Sequence, residues 1–478
     1  MKLSHFYRLA LCALCGATLV ALLPASPSQA QQRWERTFGG AVQDYGYDVR
    51  QTSDGGYVVA GMTNSFGAGS YDVYLIKTNA SGDTLWTRTY GGADYDYALS
   101  IQLSSDTGYI ISGGTYSFGG GGDDVYLLKT NASGDTLWTR TYGGASHDYG
   151  SSVRQTSDGG YIIAGTTFSY GSGSGDVYLL KTNATGDTLW TRTYGGTNEE
   201  NGISVQQTSD SGYVIAGFTC SFGAGSYDAY LIKTNASGDT LWTKTYGGTG
   251  LDVGYSVQQT TDGGFIIAGS TNSFGNGDQV YLIKTNASGD TLWTKTYGGT
   301  SLDYGQSVQQ TSGGGYIIAG ATWSSGDSSQ TYLIKTNASG DTLWTRTYGG
   351  ANPDLARSVY QTSDGGYIVA GQTRSFGDSD QVYLIKTDAN GSSGVEESRQ
   401  GDKETRRQGE RLRATPNPYT SFATVPGHEA ERFSLYDVSG RRVGIFRGDR
   451  VGEGLAPGVY FVRGQSSTST PLRIVKIR

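Results

Sequence analysis

One carboxylate recurs seven times in this chain at a nearly constant spacing. It stands four residues after a Gly-Gly pair each time, at Asp44, Asp96, Asp148, Glu200, Asp252, Asp303 and Asp354. Carboxylate oxygens are the ligands that calcium prefers, but a short acidic side chain next to a turn also accepts hydrogen bonds from backbone N–H groups. We interpret the set as backbone caps, with binding of calcium or of a basic ligand as the alternative.

A second recurring position differs from the first because its residue type varies. Between a nearly constant Thr and a nearly constant Ser, it reads Asn64, Tyr116, Phe168, Cys220, Asn272, Trp323 and Arg374. Exposed aromatic side chains on a rigid scaffold suit flat polymers such as glycans, or a protein partner. Neutral variation at a tolerant position explains this pattern most simply, and a binding surface to which Tyr116, Phe168, Trp323 and Arg374 contribute is the functional alternative.

Other catalytic chemistry has little material in this sequence. The chain has 3 His and 3 Cys, and they are scattered, so neither a catalytic triad nor a zinc site can be assembled. We expect no cofactor. An enzyme here would have to use carboxylates, and a polysaccharide hydrolase or lyase with two of them about 5–10 Å apart is the alternative to a non-catalytic binding protein. Residues 31–391 carry 19 Lys and Arg against 33 Asp and Glu, which argues against nucleic-acid binding.

These positions are organised by an internal repeat of 51 or 52 residues. Its marker is a tryptophan, found at Trp34, Trp86, Trp138, Trp190, Trp242, Trp293 and Trp344. Each repeat holds four runs rich in Val, Ile, Thr, Tyr and Trp, separated by glycine turns. In one repeat they are Leu85–Tyr90, Leu99–Leu103, Gly108–Thr115 and Asp124–Thr130. Four short antiparallel strands in about seven copies predict an all-β protein, a β-propeller.

The two ends of the array predict how the propeller closes. The first repeat opens with a lone outermost strand at Trp34–Gly40, and the last repeat stops at Gly391 without one. Joining the two completes a seventh blade and removes the open edges. We therefore predict a closed seven-bladed propeller over residues 31–391. The carboxylates and the variable loops should share one face, with the acids near the mouth of the central channel.

The blade sequence resembles two known groups of propellers. Gly160-Tyr161-Ile162-Ile163-Ala164-Gly165, followed by Asp176-Val177-Tyr178, is similar to a kelch-type blade, and Gly186-Asp187-Thr188-Leu189-Trp190 is similar to the tryptophan docking motif of quinoprotein propellers. Both resemblances imply a propeller. Neither implies a particular function.

Residues 1–30 have the pattern of a secretory signal. Lys2 and Arg8 precede an apolar run at Leu9–Leu23, and Ser28-Gln29-Ala30 suits cleavage. The run is shorter than a membrane span of about 20 residues, and no later segment could cross a bilayer. At the other end, residues 392–413 mix charges with few apolar residues, which is typical of a solvated linker.

Residues 414–478 form a third region with four strand-like runs, which predicts a small β domain. Pro416-Asn417-Pro418, Leu435-Tyr436-Asp437-Val438-Ser439-Gly440-Arg441 and Ala456-Pro457-Gly458-Val459-Tyr460-Phe461 look like the C-terminal sorting domain of type IX secretion cargo, as does the terminal strand with Lys476. The resemblance implies an Ig-like sandwich and the type IX machinery as partner. The sequence thus predicts a propeller exported to the surface of a Gram-negative-type bacterium, where it binds or displays.

Overall fold

The computed structural model describes residues 33–326 and 328–394, and near the C terminus residues 432–436, 441–447, 450, 451, 453, 455, 456, 458–464 and 472–476. The chain divides into two compact units, Met1–Val395 and Glu396–Arg478. The predicted signal at residues 1–30 lies outside the described residues, and so does the predicted linker apart from residues 392–394. Within the described part, no helix is long and apolar enough to span a membrane.

Twenty-eight strands make up the described part of the first unit. In chain order they are β1 Trp34–Phe38, β2 Asp44–Gln51, β3 Tyr57–Thr63, β4 Asp72–Thr78, β5 Thr84–Tyr90, β6 Asp96–Leu103, β7 Tyr109–Thr115, β8 Asp124–Thr130, β9 Thr136–Tyr142, β10 Asp148–Gln155, β11 Tyr161–Thr167, β12 Asp176–Thr182, β13 Thr188–Tyr194, β14 Glu200–Gln207, β15 Tyr213–Thr219, β16 Asp228–Thr234, β17 Thr240–Tyr246, β18 Asp252–Gln259, β19 Phe265–Thr271, β20 Gln279–Thr285, β21 Thr291–Tyr297, β22 Asp303–Gln310, β23 Tyr316–Thr322, β24 Gln330–Thr336, β25 Thr342–Tyr348, β26 Asp354–Gln361, β27 Tyr367–Thr373 and β28 Gln381–Thr387.

The strands form seven antiparallel sheets of four. Six sheets hold consecutive strands, β2–β5, β6–β9, β10–β13, β14–β17, β18–β21 and β22–β25, and the seventh has the order β1-β28-β27-β26. Each sheet contacts the next one, and β2 of the first blade contacts β27 of the last. The predicted all-β, seven-bladed propeller is therefore confirmed. In each of the six sheets of consecutive strands, the strand that comes first in the chain is the innermost. In the seventh sheet the innermost strand is β26.

The middle strands of each blade are buried because neighbouring sheets cover both of their faces. In blade 1, all residues of β3 and β4 are buried, whereas the outermost strand β5 is mostly exposed. The apolar clusters consequently lie between blades. One of them joins Val59 and Ile76 of the first blade to Val382 and Leu384 of the last. Continuous Val, Ile, Leu and Tyr runs in the middle strands suit this double burial.

Each repeated tryptophan joins its own blade to the following one. Trp86 in β5 lies against Tyr109 of the next blade, with ring centroids 6.2 Å apart. The Tyr90 hydroxyl donates a hydrogen bond to the carbonyl of Gly134 at 2.5 Å. Gly134 has φ +81°, and a Cβ there would lie 3.0 Å from the Trp86 ring. Both the turn and the interblade contact therefore require glycine.

The N-terminal strand closes the ring as predicted. β1 pairs with β28 in antiparallel register from Trp34↔Lys386 to Phe38↔Val382. Trp34 is 6% exposed and lies 5.7 Å from Tyr57 of the first blade between ring centroids. Its indole N–H donates to the carbonyl of Ala80 at 3.1 Å. The first strand thus supplies the last blade with both its edge and its tryptophan.

A buried lysine at the end of β4 or its equivalent pairs with an aspartate in six of the seven blades. In blade 1, Lys77 Nζ lies 2.8 Å from Asp54 Oδ2. Burial opposes ionisation of Asp54, but its hydrogen bonds from Lys77 and Thr52 lower its pKa to about 2. Blade 6 has Gly313 in place of the acid. Lys335 there contacts only neutral oxygens, of Thr311, Tyr316 and Thr336, and burial lowers its pKa.

Gly313→Asp should stabilise the propeller by restoring the missing pair. Gly313 has open space around its Cα and a φ that ordinary residues adopt. A partly exposed ion pair together with a stiffer unfolded chain should add about 1 kcal/mol. The partner aspartates in other blades have depressed pKa values. The gain in stability should therefore be complete above the unfolded-state pKa of about 4 and lost as pH falls toward 2.

Thermal unfolding of both proteins at pH 7 and pH 3 measures this gain and its loss. Gly313→Asn is the uncharged control, and an equal gain from it would contradict the ion-pair explanation.

The second unit contains one described sheet. Its strands are β29 Arg432–Tyr436, β30 Arg442–Arg447, β31 Gly458–Gly464 and β32 Leu472–Lys476, in the antiparallel order β30-β29-β31-β32. These agree with the predicted runs. Among the described residues there is a single sheet in this unit, so the Ig-like sandwich stays a prediction.

Five of the predicted sorting residues fall in or beside that sheet, namely Tyr436, Arg441, Gly458, Tyr460 and Lys476. Tyr460 is buried, and its hydroxyl donates to the carbonyl of Ala456 at 2.8 Å. The other four, Asn417, Pro418, Asp437 and Gly440, lie outside the described residues.

Candidate functional site

The seven recurrent carboxylates each begin an innermost strand, and all seven are 0% exposed. In blade 1, Asp44 accepts a hydrogen bond from the backbone N–H of Gly40 at 2.8 Å and another from the Ser65 hydroxyl at 2.7 Å. The Thr63 hydroxyl also donates to it. In blade 4, the longer Glu200 bonds Gly196 N–H at 2.6 Å and the Thr219 hydroxyl at 2.7 Å.

Each carboxylate thus accepts a hydrogen bond from a glycine N–H in the connection that arrives from the preceding blade. The constant Ser hydroxyl donates to the six aspartates, and the constant Thr hydroxyl donates to the acid in blades 1, 2, 4 and 7. In the other three blades the buried Oδ1 of Asp148, Asp252 and Asp303 has no hydrogen-bond partner. The seven acids are therefore spread around the ring, one at the start of each innermost strand. Within the described part of the chain, no three His, Cys, Asp or Glu side chains are grouped as a metal site requires.

The variable position lies on the same face as these carboxylates, which we call the loop face. The loop face carries the long connections between the second and third strands of each blade, such as residues 64–71. Tyr116 and Phe168 are 45% and 41% exposed. Trp323 is half-buried against Tyr304, with ring centroids 5.8 Å apart.

Another set of exposed aromatics on this face has a regular structural role. Phe66 is the example from blade 1, and its ring centroid lies 5.7 Å from that of Tyr74 in β4. The same pair recurs within 6.0 Å in five more blades, at Phe118, Tyr170, Phe222, Phe274 and Phe376. Because this pairing repeats around the ring, exposure alone does not mark a binding site.

An irregular aromatic cluster does stand out on the first three blades. It consists of five tyrosines and one histidine, which we call the tyrosine patch: Tyr45, Tyr71, Tyr95, Tyr97, Tyr116 and His147. The ring centroids lie 5.0 Å apart for Tyr71–Tyr95 and 6.1 Å apart for Tyr95–Tyr116. Three more ring contacts complete the patch, with centroids 6.3 Å apart for Tyr45–Tyr71, 5.3 Å for Tyr95–Tyr97 and 5.8 Å for Tyr116–His147. Of the four predicted binding residues, Tyr116 alone is a member.

Two buried aspartates hold the tyrosine hydroxyls at the margins of the patch. Tyr97 donates to Asp123 at 2.5 Å, and Tyr45 donates to Asp380 at 3.2 Å. Arg374, another predicted residue, binds Asp380 through two nitrogens at 2.7 and 2.8 Å. Arg374 thus adjoins the patch through Asp380.

The two aspartates differ in their charge partners. Asp380 faces the Arg374 guanidinium, whereas burial raises the pKa of Asp123 to about 6, with the hydrogen bond from Tyr97 opposing the rise. Near neutral pH a fraction of the Asp123 carboxyl is therefore protonated and able to donate.

Next to the patch lies an open cavity of about 550 Å³, lined by Ser70, Asp94, Tyr95 and Tyr116. Tyr71, Tyr95 and Asp123 were not among the residues singled out from the sequence. A comparison of every loop position across the seven repeats could have found them. The residue before the third strand of each blade reads Tyr71, Asp123, Gly175, Tyr227, Asp278, Ser329 and Asp380, and the residue before the innermost strand reads Gln43, Tyr95, His147, Glu199, Leu251, Leu302 and Pro353.

Comparisons with known proteins add little to this description. No family model matches the sequence. The regulatory protein FlaEY of Caulobacter vibrioides is 26% identical over 220 residues, which cover 40% of this chain and 23% of that protein. The chain thus matches less than a quarter of that relative's length.

Solved structures similar to this chain match it at low identity. The WD40 domain of Neurospora crassa Pan2 matches 75% of this chain and 97% of its own, with 9% identity and a TM-score of 0.44. Sqt1 from Chaetomium thermophilum matches 72% of this chain and 82% of its own, with 10% identity and a TM-score of 0.42. Drosophila Plexin A, solved in complex with Semaphorin 1b, matches 75% of this chain and 88% of its own, with 9% identity and a TM-score of 0.44. At this distance the assignment of the fold rests on the strand order described above.

Proposed function

We propose that this chain is a binding protein whose loop face holds a carbohydrate against the tyrosine patch. The observation that carries the proposal is the stack of half-buried and exposed tyrosines beside an open, carboxylate-bearing cavity. Tyrosine rings offer a flat apolar face at small entropic cost, and sugar rings present apolar C–H faces to such surfaces. Asp94 is exposed in the same cavity and can accept hydrogen bonds from sugar hydroxyls.

Proteins carrying Tyr95→Ala together with Tyr116→Ala should lose carbohydrate binding. Aromatic residues at the centre of an interface contribute about 2 kcal/mol or more when truncated, so the affinity should fall at least about 30-fold. The ligand comes from a glycan array probed with the purified protein, and calorimetry with that glycan then measures each variant. The melting temperature should change little, because the patch is superficial.

The matched control is Phe168→Ala together with Trp323→Ala. It removes two aromatics from the same face but outside the patch, and binding should persist. If the control variant loses binding as strongly as the patch variant, the ligand is spread over the whole loop face. If the patch variant binds as the unmodified protein does, the proposal is wrong.

A polysaccharide hydrolase is the second candidate, and one observation favours it. A general acid needs a carboxyl whose pKa is raised toward neutrality, and Asp123 has one at about 6. Incubating the protein with its glycan and following chain length tests this. Cleavage that disappears in Asp123→Asn would establish an enzyme, and an intact glycan would leave binding as the function.

We also infer that the protein is exported and displayed. The signal-like residues 1–30 and the resemblance of residues 414–478 to a sorting domain support delivery by the type IX secretion machinery to the surface of a Gram-negative-type bacterium. A carbohydrate-binding surface suits that location.

A further inference from the structure

The innermost strands surround a channel with a cavity of about 310 Å³. Side chains at the fourth, fifth and seventh positions of these strands line it, as Tyr47, Asp48 and Arg50 do in β2. Adjacent positions four and five both reach the channel because a bulge interrupts the register there, between Gly46 and Asp48 in β2.

Most of this lining is neutral and joins the blades. The fifth position is Ser in six blades. In five of them its hydroxyl accepts a hydrogen bond from the next blade, as when Val153 N–H donates to Ser100 at 3.3 Å, and in the last blade the Ser358 hydroxyl donates instead. The seventh position is Gln in four blades, and Gln102 accepts from Gln155 N–H at 2.5 Å in the same manner. The same interblade bonds recur for Gln206, Gln258 and Gln309.

Three arginines also line the channel, Arg50 and Arg154 at the seventh position and Arg357 at the fourth. Arg50 stands at the seventh position of blade 1, with its guanidinium 4.1 Å from the centroid of the Tyr360 ring. It donates to Asp48 at 2.5 Å and to the Val49 carbonyl at 2.8 Å. Asp48 also receives hydrogen bonds from Ser358 at 2.7 Å and from Ile101 N–H at 3.0 Å.

Among the described residues, the other two arginines form no ion pair, although the charge of Asp48 acts on Arg154. Arg154 donates to its neighbouring carbonyl, Val153, at 2.7 Å, and its contact with the Ser100 hydroxyl is long, at 3.5 Å. Arg357 lies over the Tyr47 ring at 5.5 Å, and its Nε is buried without a hydrogen-bond partner. Arg50 and Arg154 line the same cavity. Burial and the charge of Arg50 lower the pKa of Arg154, against opposing effects of Tyr360 and Asp48.

This charge distribution is opposite to that of the surrounding propeller. Residues 31–391 have 14 more acidic than basic residues, yet the channel holds Arg50, Arg154 and Arg357 against one acid, Asp48. Desolvated positive charges that outnumber their counter-charges are costly. Guanidinium groups donate in a planar fork that matches the geometry of an oxyanion.

We propose that the channel binds a small oxyanion of the phosphate or sulfate type between Arg50 and Arg154. Arg357 sits at the fourth position of its strand, three residues before Tyr360, and so lies roughly 10 Å nearer the loop face along the channel. It adds positive potential on the path of an anion that enters from that face. The site is separate from the tyrosine patch and does not depend on carbohydrate binding.

The repeat itself supplies variants that preserve the fold. Arg154→Gln introduces the residue found at the same position in four blades, whose side chain binds the next blade. Asp48→Ser likewise introduces the residue of the other six blades. The first change removes an anion ligand, and the second removes the competing acid. Arg88→Gln, on an exposed outermost strand, is the matched control for net charge.

The test is calorimetric and thermal-shift titration of the purified protein with inorganic phosphate and with sulfate in a chloride buffer. Arg154→Gln should weaken oxyanion binding at least about tenfold, as expected for the loss of a charge-assisted hydrogen bond, and should raise the melting temperature in chloride alone. Asp48→Ser should strengthen binding. The control should bind as the unmodified protein does. The proposal is overturned if neither anion binds, if Arg154→Gln binds unchanged, or if Arg88→Gln loses binding to the same extent.

Discussion

Deleting residues 31–40 should cause aggregation and a large fall in thermal stability. The deletion removes β1 and leaves β28 as an open edge. That strand, Gln381–Thr387, is buried along its whole length, and an exposed apolar edge strand is a template for pairing with other chains. Losing the buried Trp34 alone should cost about 3–5 kcal/mol. Light scattering after gel filtration and a thermal unfolding curve measure the two effects.

Two control variants separate the edge from the tryptophan. Trp34→Ala keeps the strand paired, so it should destabilise without aggregation. Moving Trp34–Gly40 to follow residue 394 should restore stability, because Gly394 already lies beside Arg33 and the last blade becomes continuous. An unchanged melting temperature and elution volume after the deletion would refute closure by β1.

The closure was predictable because it follows from counting strands. A lone tryptophan strand at the start and a missing one at the end leave a single arrangement without open edges. The strand ends were predicted within about three residues, and the largest difference is at the innermost strand. β6 begins at Asp96 rather than at Leu99, because Asp96-Tyr97-Ala98 continues the ladder before the bulge between Ala98 and Ser100.

The candidate site was less predictable because it depends on which loops meet. The sequence marks Tyr116 as variable and exposed, but Tyr71 and Tyr95 belong to connections of two different blades. They meet because those connections form a parallel bridge at the blade junction. The carboxylates show the reverse. Their spacing is regular in the sequence, whereas their burial depends on Thr and Ser hydroxyls whose direction only the folded blade sets.

The channel arginines were overlooked for a related reason. In the sequence, Arg50, Arg154 and Arg357 resemble surface charges of ordinary strands. Only the bulge after Gly46 and its equivalents decides which residues of an innermost strand face the channel. A repeat-by-repeat comparison shows Arg50 and Arg154 as departures from Gln at the seventh position, and Arg357 as the charged residue at a fourth position that is otherwise neutral. The ring geometry is what makes these three residues converge.

Deleting residues 414–478 should abolish surface display while leaving the propeller folded. The propeller residues form their own compact unit, Met1–Val395, and the interblade contacts that stabilise it lie within residues 33–394. A truncated chain should therefore fold after export across the inner membrane and accumulate in the periplasm of a host with type IX secretion. Protease accessibility on intact cells, compared with cell fractionation, measures its location, and the melting temperature of the purified truncated protein checks the fold.

A transfer experiment tests whether the same residues are sufficient. Residues 392–478 fused to a periplasmic reporter should carry that reporter to the surface, because the resemblance to a sorting domain lies wholly within them. The matched control deletes residues 395–413 from the full chain, which removes the charged segment but retains residues 414–478, and display should persist. If the truncated propeller still reaches the surface, or if the fused reporter stays in the periplasm, residues 414–478 are not the sorting signal, and export must depend on another part of the chain.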